Sequence, residues 1–176
     1  VARDRILLTL VIALGGGSFF GNFIGALYDI YLLRELGLSP AVLGITIAAG
    51  GVGALAGALL SSRLERRFGV GRTLVGSLLF SSALSLLLPL AGGSPLQAAI
   101  MLILMQVFGD AAMMVYGIHS LSLVQSLVPN RLLGRVNASF GFVGMGVAPF
   151  GALLAGVLGT AIGTRATLLI AVLGGL

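Results

Sequence analysis

Six long apolar runs, separated by short polar or glycine-proline breaks, make up almost the whole chain. They cover about Ile6–Leu33, Ala41–Ser62, Thr73–Leu90, Leu96–Val128, Val136–Gly159 and Ala166–Leu176. About 20 apolar residues of helix cross a bilayer, so the first five predict membrane spans. The sixth has only 11 residues and would rise about 16 Å as a helix, so it reads as a span cut short. Leu36-Gly-Leu-Ser-Pro40 reads as a helix stop at Gly37 followed by a start at Ser39-Pro40. Ala91-Gly-Gly-Ser-Pro95 reads as a short uncharged turn. The first residue is Val1, and no signal peptide opens the chain, so the expectation is a piece of something longer.

Two breaks are basic. Arg63-Leu-Glu-Arg-Arg-Phe-Gly-Val-Gly-Arg72 sets four arginines against one acid, and Pro129-Asn-Arg-Leu-Leu-Gly-Arg135 adds two more. Residues 63–72 and 129–135 therefore read as loops in water. Arginines near span ends are held on the cytoplasmic side. With strictly alternating spans, eight arginines fall on that side and two, Arg34 and Arg165, on the other. The expected N-terminus is cytoplasmic, in a multi-pass cell (inner or plasma) membrane protein. Asn137-Ala-Ser139 matches a glycosylation sequon but adjoins a cytoplasmic loop and is set aside.

Composition supports lipid as the main solvent. The 176 residues are 58% hydrophobic and 9% charged, with mean hydropathy +1.15. A soluble domain carries about 25% charged residues. The net charge of +5 is carried entirely by arginine split among short loops, which fits headgroup contact and topology rather than a nucleic-acid surface. Without cysteine there is no disulfide or thiolate site, and one histidine with five acids makes a metal site unexpected. No nucleophile–base pair or phosphate loop is visible, so neither a catalytic residue nor a cofactor is expected. Gly51-x-Gly53-x-x-Ala56 fits a dinucleotide fingerprint only loosely, and inside an apolar run it reads as helix packing.

The polar residues inside spans carry the functional expectation. Asp110 lies near the middle of the fourth run. A carboxylate at that depth costs about 2.5–3.5 kcal/mol, so it should avoid lipid. Gln106, Asp110, Met113, Gly117 and Ser120 share one helical face. A carboxyl that takes up and releases a proton there would serve a proton-coupled carrier; the structural alternative is a hydrogen-bonded tie between helices. Asn22, Asp29, Gln106, Tyr116 and His119 are the expected cavity-lining groups. Nine residues turn about 900°, so His119 points away from Asp110, as a structural histidine or a proton relay. Ser18, Asn22, Gly25 and Asp29 form a polar stripe in the first run, and Gly17, Gly21 and Gly25 a glycine seam. In the fifth run Gly144, Ala148, Ala152, Gly156 and Thr160 form a small-residue ladder, and Pro149 permits a bend.

These features resemble the second half of a major facilitator superfamily transporter, with basic loops after its second and fourth helices. Ser62-Arg-Leu-Glu-Arg-Arg-Phe-Gly69 is similar to the degenerate second copy of that superfamily's loop motif, G-x-L-x-D-R-x-G. Leu64, Arg67 and Gly69 match it; Ser62 and Arg66 depart from it. Tyr31–Pro40 and Val128–Ser139 resemble the bacterial efflux branch of enterobactin and macrolide exporters. Gly144-Met-Gly-Val-Ala-Pro-Phe-Gly151 is similar to the glycine-proline antiporter motif, with Ala148 in place of glycine. The resemblance implies an all-α membrane bundle, alternating access and an N-terminal six-helix half as partner. It implies no enzyme but a secondary transporter, exporting a small amphipathic molecule (drug- or siderophore-like) against protons. Uptake by the same fold and a non-transporting assembly module are the other readings.

Overall fold

The computed structural model describes residues 5–175. Helix α1 (Arg5–Ile30) continues into a π-helical turn (Tyr31–Glu35). It is followed by α2 (Pro40–Phe68), α3 (Val70–Ser85), the short α4 (Leu87–Leu90), α5 (Pro95–Leu127), α6 (Asn130–Ile162) and α7 (Thr164–Gly174). Among the described residues there is no strand. Five helical stretches are long and apolar enough to cross a membrane: Leu8–Glu35, Pro40–Phe68, Val70–Leu90, Pro95–Leu127 and Asn130–Ile162. The 11 residues of α7 are too few to do so. Phe142 and Met145 are each 80% exposed. Side chains of that kind settle in hydrocarbon and would be costly in water.

The breaks have local causes. Ser39 caps α2 by accepting from the Val42 N–H at 3.4 Å, and Pro40 takes the first helical position. Gly37 precedes them at φ +62°, a conformation that favours glycine. Ser94 and Gln97 form a reciprocal capping box at the head of α5, with the Ser94 N–H donating to Gln97 Oε1 at 3.0 Å and the Gln97 N–H to Ser94 Oγ at 3.3 Å. Between α3 and α4 the helix breaks at Leu86. Pro89 has no N–H, and its ring would strike the carbonyl four residues back, which is Ser85.

The basic stretch 63–72 is not the open loop expected. Helix α2 runs on through Phe68, and α3 begins at Val70, leaving Gly69 as the single break. Arginine is a good helix former. A 29-residue helix is about 43 Å long against a hydrocarbon core of about 30 Å, so its arginine-bearing turns can stay helical beyond the apolar layer. Gly69 stops the helix at φ +80°, its N–H donating to the Glu65 carbonyl at 2.8 Å. The stretch 129–135 narrows in the same way, because α6 already starts at Asn130.

Chain contacts separate two compact units. One holds the residues up to Leu27 with Ser120–Gly175; the other holds Tyr28–His119. In the first, Leu10, Val124, Val128 and Val136 form a buried cluster with Leu123, Leu133 and Phe140 packed on it. Gly151 sits so close to the Phe19 carbonyl that a Cβ would collide with it. In the second unit, the Tyr31 hydroxyl donates to the Ala91 carbonyl at 3.1 Å, tying the π-helical turn to the turn before α5.

Candidate functional site

Asp110 stands at the middle of the 33-residue α5, in the second unit. One turn before it on the same face is Gln106. Both side chains lie against Gly50 of α2: a Cβ there would collide with the Asp110 carboxylate and come within 3.3 Å of the Gln106 amide nitrogen. Gly53 and Gly57 continue this contact. A Cβ on either would run into the backbone carbonyl of Val107 or Ala111. Gly50, Gly53 and Gly57 are all buried. Their i, i+3, i+7 spacing places them on one line along α2, and the missing side chains let the two backbones meet. The polar pair is thus set directly beside bare helix backbone.

Tyr28 of α1 adds a hydroxyl from a third helix. It donates to Thr46 Oγ1 at 3.4 Å, and Thr46, one turn before Gly50 and fully buried, donates on to the Leu43 carbonyl at 2.8 Å. The candidate site in this unit is Asp110, Gln106 and Gly50, with Tyr28 and Thr46 one turn along α2. Asp110 and Gln106 are half-buried, which leaves each side chain room for a ligand, water or a proton.

The other expected residues are distributed as follows. Asp29 is exposed on α1, two residues before the π-helical turn, and Tyr116 is half-buried on α5. His119 is buried, with Nδ1 3.7 Å from Glu65 Oε2 near the arginine end of α2. That distance exceeds a hydrogen bond, so the attraction depends on a proton on the ring. Its Nε2 has no hydrogen-bond partner among the described residues. Fifteen residues of α2, about 22 Å, separate Gly50 from Glu65, so Asp110 and His119 engage α2 at different depths. Leu64 is half-buried, while Arg67 and Gly69 are exposed; the Arg67 guanidinium lies 5.5 Å from the centre of the Phe68 ring.

Asn22 belongs to the first unit. Its amide donates to the Ser18 carbonyl one turn back at 2.7 Å, so one of its donors is already used within α1. Along α6, Gly144 faces Ser18 and Leu14, Gly151 faces Phe19 and Asn22, and Gly159 faces Leu27. Ala148 is half-buried, but Pro149 and Gly156 are exposed, and a Cβ on Gly156 would meet open space. The ladder expected at every fourth residue therefore drifts off the contact. Four residues turn about 400°, so Gly156 lies about 120° round from Gly144, while Gly151 and Ala155 stay in line. The glycine seam expected at Gly17, Gly21 and Gly25 likewise faces open space, and the close neighbour is Gly15, against Val143.

Sequence reasoning missed Gly50, Tyr28 and Thr46. The line Gly50-x-x-Gly53-x-x-x-Gly57 was a signal for the first; Tyr28 and Thr46 carried none. No curated protein and no solved structure matches the chain. The family model of the Major Facilitator Superfamily matches residues 7–176. With five membrane-length helices and an all-α fold, the chain belongs to the Major Facilitator Superfamily of membrane transporters.

Proposed function

We propose that the protein is a proton-coupled exporter of small amphipathic molecules that works by alternating access. In this reading it lies in the cell membrane with its arginine-bearing helix ends in the cytoplasm, and this chain supplies one of two six-helix halves. The observation that carries the reading is the seat of Asp110. A carboxyl at mid-span, beside Gln106, is seated on the Gly50 backbone. At that depth its charged form is costly, and a proton removes the cost. Protonation would loosen its claim on neighbouring donors, and re-ionisation would restore it. This gives the two states that coupling needs. Tyr28 and Thr46 add a bonded pair of hydroxyls one turn along α2 from Gly50. The likeness of Tyr31–Pro40 and Val128–Ser139 to bacterial exporters supports outward transport.

The test is Asp110→Asn in the full-length protein, assayed in everted membrane vesicles with an imposed proton gradient. The expected result is a loss of dye accumulation by about tenfold or more at unchanged protein level, since one lost proton step is worth at least about 1.4 kcal/mol. Undiminished accumulation by the variant would reject Asp110 as the coupling group. Accumulation only with the opposite gradient would favour uptake, and no transport by the unaltered protein would favour an assembly module.

A further inference from the structure

A groove of about 480 Å³ runs through the second unit from the level of Phe108 and Ala111, which flank Asp110 on α5, to Arg72 at the arginine end. Leu60 and Leu64 of α2, Gly76 and Phe80 of α3, and Phe108 and Val115 of α5 give it apolar walls. Ligand sites span about 300–1,000 Å³, so it is large enough to hold part of a lipid-sized molecule. Many of the exposed side chains elsewhere are equally apolar, so the polar rim of this groove carries the argument. Arg72 and Thr73 both line it. Arg72 is exposed, and no carboxylate among the described residues pairs with it. Thr73 is 6% exposed, and its Oγ1 is buried without a hydrogen-bond partner among the described residues. Buried hydroxyls are rarely left unpaired, so this one calls for an acceptor or donor from outside the chain.

The same rim is the head of α3. No side chain caps that 16-residue helix, and its first turn holds no acid. The first N–H groups of α3 have no side-chain acceptor there, and such groups can bind phosphate. An unpaired guanidinium, an unpaired hydroxyl and an uncapped helix head therefore stand at the mouth of an apolar groove, at the level where headgroups lie.

We propose that this groove binds one anionic glycerophospholipid, with an acyl chain between α2, α3 and α5 and the phosphate at Arg72, Thr73 and the head of α3. The occupant is a lipid rather than a free anion because the polar contacts occupy only the rim. It is anionic because a zwitterionic headgroup would place a cation beside the unpaired Arg72. The proposal stands on membrane embedding alone, and the direction of transport does not enter it.

The experiment titrates the purified full-length protein in detergent with dioleoyl phosphatidylglycerol or dioleoyl phosphatidylcholine and reads retained lipid by native mass spectrometry. One phosphatidylglycerol is expected to be retained in preference to phosphatidylcholine. Arg72→Gln is expected to reduce that preference about tenfold, whereas Arg66→Gln, outside the groove, leaves it within about twofold. Gly76→Leu fills the groove and is expected to release both lipids. Should that variant fail to fold, Arg72→Gln at an exposed position still decides. A phosphatidylglycerol with a photoreactive acyl chain should mark Phe80, Phe108 or Leu60. Equal retention of both lipids, an unaltered preference in Arg72→Gln, or adducts confined to other helices would each overturn the assignment. Labelling of the groove by a transported dye that phosphatidylglycerol does not displace would do the same.

Discussion

Gly50 shows how much one hydrogen in place of a side chain can decide. Its missing Cβ is the space that the Asp110 carboxylate and Gln106 amide occupy. Gly50→Val is expected to push Asp110 from its seat at a cost of about 1–3 kcal/mol, the range for overpacking. Thermal melting in detergent should fall and transport be lost, whereas Gly51→Ala, which faces open space, should keep or raise stability, by up to about 1 kcal/mol from helix propensity. Equal effects of the two would reject the close contact. Asp110 was legible in the sequence because a charge inside an apolar run is conspicuous, and Gln106 because it lies one turn away. Gly50 was harder to see, since a glycine announces room and not its occupant. The Tyr28–Thr46 bond joins residues 18 apart on different helices, a pairing that no single-helix periodicity encodes.

At the scale of the element, helices cover the long apolar runs, but α2 extends to Phe68 and α6 starts at Asn130, beyond the apolar residues, and the contact faces followed only partly. Spacing by four reads as a straight seam over two turns and as a spiral over four. This is why Gly144 and Gly151 meet α1 while Gly156 does not. Gly151→Leu is expected to part α6 from the Phe19 backbone and lower the melting temperature, at a cost of about 1–3 kcal/mol. Gly156→Leu should stay within about 0.5 kcal/mol of the parent. Matching losses would mean that the seam runs along the four-residue ladder after all. The basic stretch was read as a loop because charge excludes hydrocarbon. Charge does not exclude helix, however, and α2 carries its arginines past the apolar layer without unwinding.

At the scale of the whole molecule, the proposed orientation puts the arginine-rich helix ends in the cytoplasm, and it can be tested directly. In a cysteine-free background, Asn130→Cys and Ala161→Cys place thiols at opposite ends of α6. A membrane-impermeant maleimide added to intact cells is expected to label Ala161→Cys and to reach Asn130→Cys only after permeabilisation. The reverse pattern would invert the proposed orientation. Membrane embedding and the helix order were legible because the bilayer imposes one length and one polarity on every span. The grouping of helices into two units was not, since small residues recur on every span and the sequence does not say which seams close.

The junction at Gly69 has a mechanical consequence. One residue stands between Phe68 and Val70, so the coupling of α2 to α3 has only two soft torsions, and there is no slack chain to absorb a displacement. Such a joint transmits thrust. If the arginine-bearing foot of α2 tilts or slides, α3 must swivel about that pivot in the same stroke, and a push delivered at Thr73 is felt at Glu65.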